Sequence, residues 1–213
     1  MALDVLLFDA YGTLWDVHSL MKRCESCWPG KGMQVSHVWR AKQLEATWLR
    51  SLMGRYVPFS TVTREALAFA CETLQISLQP DHETELMAAY RQLTPFPDVA
   101  DAMMRKPASK TGILSNGSPD MLEPLVKHSG LRFDAVLSVD AVKIFKPAPQ
   151  VYQLAVETFG VPKERIGFVS SNFWDAAGAK SFGFHVFWIN RGGVVGERLG
   201  FQPDRVLRSL GEL

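Results

Sequence analysis

Five apolar runs, Val5–Phe8, 111–114, 135–139, 166–169 and 186–189, punctuate the chain and constrain its fold more than any other feature. Each is too short for a helix and is continuous rather than alternating, so as a strand it offers water no polar face. Such strands must be covered on both sides, which requires a sheet flanked by helices. Helix signals fall between the runs. Ser118-Pro119 reads as an N-cap followed by proline at the first helical position, a periodic stretch from Pro149 to Phe159 ends at Gly160, and 175–182 stops at Gly183. Strands alternating with helices predict an open, mostly parallel α/β sheet with right-handed crossovers.

One stretch breaks the alternation. Between Asp16 and Thr94 the periodicity is helical throughout, with Val38, Trp39, Trp48, Leu49, Leu52 and Met53 in one segment and Ala66, Leu67, Phe69, Ala70 and Leu74 in another, and with Ser60 and Pro80 as helix starts. The expected organisation is therefore a core of residues 1–15 and 95–213, with 16–94 inserted after the first strand as a helical cap over the sheet's C-terminal edge. Open α/β sheets bind their ligands at that edge.

Composition narrows the partners. The chain has 213 residues, enough for one core and a smaller insertion. Its 23 basic and 22 acidic side chains leave a formal charge of +1, so no global field recommends nucleic acid or an anionic membrane. No window approaches the roughly 20 apolar residues of a membrane span, and the first residues run into a strand without the pattern of a secretory signal. A cytoplasmic protein acting on a small molecule is the expectation. Cys24-x-x-Cys27 has the spacing of a zinc or dithiol pair, but no second such pair completes it. Together with Cys71 it reads as reduced, helix-packing cysteine.

Polar groups cluster where the apolar runs end. Asp9 follows the first run, with Gly12 allowing a tight turn and Thr13 placed to bond back to the carboxylate or nearby backbone. Taken alone, Asp9 could simply cap that turn. Three other strand ends deliver Ser115-Asn116, Lys146-Pro147 and Ser170-Ser171-Asn172 with Asp175. Parallel strands bring these ends to one edge, so two carboxylates, an ammonium, hydroxyls and amides face one crevice. The histidines, His18, His37, His82, His128 and His185, fall outside these clusters and receive no catalytic role.

The order Asp9-x-Tyr11-Gly12-Thr13, Ser115-Asn116-Gly117-Ser118, Lys146-Pro147 and Ser170-Ser171-Asn172-x-Trp174-Asp175 resembles the haloacid dehalogenase superfamily, and most closely its L-2-haloacid dehalogenases. The resemblance extends to Trp39-Arg40-Ala41-Lys42-Gln43-Leu44 and Thr47-Trp48-Leu49-Arg50-Ser51-Leu52. It implies a Rossmann-like core with an inserted cap, and hydrolysis of a 2-haloacid without cofactor or metal. Phosphatases of the superfamily carry a second Asp two residues after the nucleophile, to protonate an alkoxide; Tyr11 stands there, and halide needs no proton. Ser171 replaces an Asp that helps those enzymes bind Mg2+. The alternatives are such a phosphatase, or a non-catalytic module on the same fold.

Carried onto this sequence, the resemblance makes Asp9 the nucleophile at C2, flanked by Thr13. Asp175, with Lys146, Ser170 and Asn172, activates water to hydrolyse the aspartyl ester. Arg40 and Asn116 receive the halide, and Ser115 seats the substrate carboxylate. Tyr11, Leu44, Phe59 and Trp174 wall the alkyl side. Ala41 stands where relatives often carry Gln, which would remove a polar element of that wall. A homodimer formed through the cap and its flanking helices is also implied.

Overall fold

The computed structural model describes residues 3–105 and 108–213. Its centre is a six-stranded, wholly parallel sheet in the order β3-β2-β1-β4-β5-β6, formed by β1 (Val5–Phe8), β2 (Lys110–Ser115), β3 (Ala135–Ser138), β4 (Ile166–Ser170), β5 (His185–Ile189) and β6 (Arg205–Leu207). Every residue of β1 and β4 is buried, and both strands are apolar apart from the terminal Ser170 of β4. Register then positions the chemistry. Phe8 pairs with Ile113 and Val169, and the Asp9 backbone N–H donates to the Val169 carbonyl at 2.9 Å. Asp9 and Ser170 one step further along, and Ser115 two, emerge at the C-terminal edge.

Helices α5 (Val99–Met104), α6 (Pro119–Ser129), α7 (Pro149–Phe159) and α8 (Phe173–Phe182) alternate with the strands. Both α6 and α7 open on proline and end on a left-handed glycine, Gly130 and Gly160. Four helices occupy the interval between β1 and α5: α1 (Ser19–Cys27), α2 (Gly32–Leu52), α3 (Phe59–Thr73) and α4 (Pro80–Ala89). They pack around Val35, Trp39, Val62, Leu67, Leu86 and their neighbours. Among the described residues no helix is long and apolar enough to cross a membrane.

The structure departs from the sequence expectations where burial depends on position in the assembled sheet. β3 lies at an edge and is only half-buried, with Val136 40% exposed, and its run gives way to a 3-10 turn at Val139–Ala141. β6 was not foreseen; it is three residues long and gains its place by pairing with β5. In α2, Leu49, Leu52 and Met53 are 47%, 85% and 63% exposed, so the apolar end of that helix is surface rather than core. α3 begins at Phe59, after Pro58, and the Ser60 N–H is instead used by Ser118 Oγ at 3.2 Å. All three cysteines are free thiols; burial pushes Cys24 up to about 12 and Cys71 up to about 11, which keeps both protonated.

Leu7 on β1 is fully buried between both layers. Leu7→Ala is expected to lower the urea midpoint through a loss of about 2–5 kcal/mol, the usual cost of a core cavity.

Candidate active site

Asp9 leaves β1 with 7% of its surface exposed and is held by three donors. Thr13 Oγ1 at 3.1 Å and Asn172 Nδ2 at 3.0 Å donate to Oδ2, and Lys146 Nζ donates to Oδ1 at 3.1 Å. The turn between them depends on Gly12, whose φ of +84° is the left-handed region and which passes close to Ser171 Oγ. Thr13 also accepts the Ser171 N–H at 2.8 Å, tying the β1 loop to the β4 loop. With two bonds on Oδ2 and one on Oδ1, the carboxylate keeps an unused lone pair on Oδ1.

Lys146 is 1% exposed and bridges two acids, with Nζ at 3.1 Å from Asp9 and 2.9 Å from Asp175. Burial by itself pulls the ammonium's pKa down, but the Asp175 and Asp9 charges outweigh it, and the net direction is up. Lys146 is therefore a permanent cation. Its contact with the Phe168 ring, 4.7 Å to the centroid, adds the attraction of the electron-rich face of that neutral ring. The loop is secured by Asn116, whose Oδ1 accepts the Lys146 backbone N–H at 2.9 Å. Its Nδ2 is on the other side of the amide from that bond.

Asp175, in the first turn of α8, is fully buried and receives Lys146 and Ser170 Oγ, at 2.9 and 3.1 Å, on Oδ2 and Tyr152 Oη, at 2.9 Å, on Oδ1. Desolvation dominates its titration; Lys146 opposes it and the Asp9 charge reinforces it, leaving the pKa raised to about 6. Two carboxylates thus share one cation but differ in environment, the arrangement that separates a nucleophile from a base.

Several placements differ from those expected. Asn172 donates to Asp9 rather than joining the groups around Asp175. Ser115 Oγ accepts the Gly117 N–H at 3.0 Å, which leaves its hydroxyl proton for another acceptor. Arg40 is half-buried on α2 and donates to Gln43 Oε1 at 2.8 Å; it makes no hydrogen bond to the Asp9 cluster. Ala41 is exposed. Leu44 is half-buried, Phe59 stacks on Tyr11 with centroids 6.0 Å apart, and Trp174 meets Trp48 of α2 edge-on at 5.5 Å. Trp48, Ile144, Lys146, Pro147 and Trp174 line an apolar cavity of about 500 Å³ between the helical layer and the sheet edge.

Two residues were missed by sequence reasoning. Tyr152 sits in the apolar pattern of α7 among Val151 and Ala155 and reads as core; its hydroxyl was the only available clue, since a buried tyrosine needs a partner. Gln43 is fully buried, accepting from Arg40 and donating to Thr63 at 2.7 Å and Tyr90 at 3.5 Å. A buried amide on a helix was its signal.

The family model for haloacid dehalogenase-like hydrolases matches residues 3–183. An (S)-2-haloacid dehalogenase from Pseudomonas putida is 48% identical over 99% of this chain and 96% of its own length. Another from Pseudomonas sp. strain YL is 48% identical over 96% of this chain and 90% of its own. Among solved structures, the L-2-haloacid dehalogenase of Xanthobacter autotrophicus with chloropropionic acid covalently bound superimposes with a TM-score of 0.92 at 42% identity, covering 99% of this chain and 96% of that one.

Close packing around the site gives a test. A Cβ on Gly178 would lie 2.5 Å from Pro147 Cβ and 2.7 Å from Tyr152 Oη. Gly178→Ala is expected to lower the melting temperature through a loss of about 1–3 kcal/mol. It should also push the tyrosine off Asp175, moving the acid limb of the activity profile to higher pH.

Proposed function

Because the chain belongs to the haloacid dehalogenase-like hydrolase family, we propose that it hydrolyses L-2-haloalkanoic acids to D-2-hydroxy acids through an ester on Asp9. The observation that carries this reading is the buried Lys146 ammonium between Asp9 and Asp175. It fills the space a divalent cation would need for those oxygens, which disfavours a metal-dependent phosphatase, and it keeps a carboxylate nucleophile in a site suited to a small anionic substrate.

In the first step Asp9 attacks C2 from the side opposite the halogen. The C2–O bond forms as the carbon–halogen bond breaks, the electron pair leaves with the halide, and C2 inverts. Ser115 and nearby loop N–H groups hold the substrate carboxylate, Arg40 and the amide of Asn116 receive the halide, and Tyr11, Leu44, Phe59 and Trp174 enclose the alkyl group. In the second step Asp175, oriented by Ser170, Tyr152 and Lys146, takes a proton from a water whose oxygen attacks the acyl carbon of the ester; the acyl C–O bond then breaks, and the departing alkoxide takes that proton from Asp175 to become the product hydroxyl. That step leaves the C2–O bond intact, so the inverted configuration persists. Asn172 and Thr13 keep the Asp9 carboxyl oriented throughout.

Residues 16–94 act as the cap in this reading, and the exposed Leu49, Leu52 and Met53 supply an apolar face through which two copies pair. The working compartment is the cytoplasm. Leu52→Lys is expected to give monomers in analytical ultracentrifugation where the unmodified chain gives dimers.

Halide release should be seen with L- but not D-2-chloropropionate, should persist in EDTA, and should vanish in Asp9→Ala. A single turnover in 18O-water should label the Asp9 carboxylate and leave the product unlabelled; labelled product would instead mean direct attack by water. The raised pKa of Asp175 fixes the pH dependence: the base is a carboxylate above about pH 6 and is lost by protonation below it. The rate of ester hydrolysis in rapid-quench experiments should therefore fall on the acid side of that value.

A further inference from the structure

Among the described residues six buried side-chain polar atoms lack a hydrogen-bond partner, and one of them, Tyr11 Oη, belongs to the loop that carries Asp9. A buried hydroxyl left unpaired is costly, so its persistence requires a reason. The ring cannot easily turn to find a partner. It is 3% exposed, stacks on Phe59, meets the edge of Tyr90 at 5.8 Å, and lies so near Gly117 that a Cβ there would come within 2.9 Å of Cε2. Gly117 directly follows Asn116, so the tyrosine is wedged beside the end of β2.

The charged groups acting on this hydroxyl come from three elements. Burial, then Tyr90, Asp120 and Asp9, raise its pKa well above the ordinary tyrosine value, while the Arg40 guanidinium lowers it. The O–H consequently remains intact at any working pH, able to donate and never to act as a base. Geometry puts it beside both other halide donors: the ring presses on Gly117, next to Asn116, and on Tyr90, whose Oη is 3.5 Å from the Gln43 amide that also accepts from Arg40.

We propose that Tyr11 Oη donates a hydrogen bond to the halide as it leaves C2, completing with Arg40 and Asn116 a three-donor halide site. The inference rests on the dehalogenase reading and adds a catalytic residue to it. The carbon–halogen electron pair departs with the halide and Tyr11 keeps its proton throughout, so the group stabilises charge without acid catalysis. The free hydroxyl is then a vacancy in hydrogen bonding that the transition state fills. The contribution should increase with the charge density of the leaving ion, being larger for chloride than for bromide.

The test compares ester formation in single-turnover experiments on L-2-bromopropionate and L-2-chloropropionate, for the unmodified chain and Tyr11→Phe. Losing a hydrogen bond to a charged group should slow the chloride reaction about tenfold or more. The bromide reaction should slow less, so the bromide-to-chloride rate ratio rises by about threefold. Free chloride should also inhibit the variant less. Incorporation of 3-fluorotyrosine at position 11, nearly isosteric and a stronger donor, should shift the ratio in the opposite direction, and it remains informative if Tyr11→Phe does not fold. A ratio unchanged by both replacements overturns the inference while leaving the dehalogenase reading standing. Absence of halide release by the unmodified chain overturns both.

Discussion

A single ammonium buried between two carboxylates is the constraint on which the rest of this site depends. Asp9 and Asp175 could not both stay ionised in a dry crevice without a counter-charge, and Lys146 could not stay protonated there without them. The trio carries one net negative charge, spread over neutral donors from Thr13, Asn172, Ser170 and Tyr152. Removing one member of such a buried set typically costs about 3–5 kcal/mol, because the partner charges remain desolvated. The two titrations also act on stability in opposite senses. The raised Lys146 pKa stabilises the fold below the ordinary lysine value of 10.5, a contribution lost as pH rises through the folded value. The raised Asp175 pKa costs stability once pH exceeds the ordinary 3.8. Stability is thus given up at one carboxyl of the pair.

Around this fixed centre, the helical layer is attached by contacts of a different kind. Ser51 Oγ accepts the Phe145 N–H at 3.0 Å, Tyr56 donates to Asp140 at 2.9 Å, Ser118 accepts from Ser60, and Trp48 meets Trp174. The neutral hydrogen bonds and the aromatic pair are each worth about 0.5–1.5 kcal/mol and the bond to the Asp140 carboxylate about 1.5–3 kcal/mol, well below the cost of separating the strands of the sheet. The two carboxylates therefore sit on the rigid layer, whereas Arg40, Leu44 and Phe59 sit on the layer held by smaller increments.

Some of this was legible in the chain because it is local. The glycine and proline signals at 118–119, 149, 160 and 183 mark helix ends through backbone conformation alone, and the structure places α6, α7 and α8 accordingly. The apolar runs at β1 and β4 could be read as buried strands because such runs have no exposed face to give. At Leu49, Leu52 and Met53 the periodicity gave the helix but not the burial, since an apolar helix end is equally compatible with a core and with a surface. The same logic failed at β6 because three residues carry no periodicity.

The chain by itself determined the residue types that end each strand, and hence that acids, a lysine and amides would meet at one edge, because a parallel sheet leaves no other place for them. Only the tertiary structure decided how they pair. Asn172 belongs to Asp9, Tyr152 crosses from α7 to Asp175, and Gln43 rather than the catalytic cluster holds Arg40. Hydrogen bonding depends on distances of a few tenths of an ångström between groups far apart in sequence, and those distances are set by packing, which residue order does not encode locally.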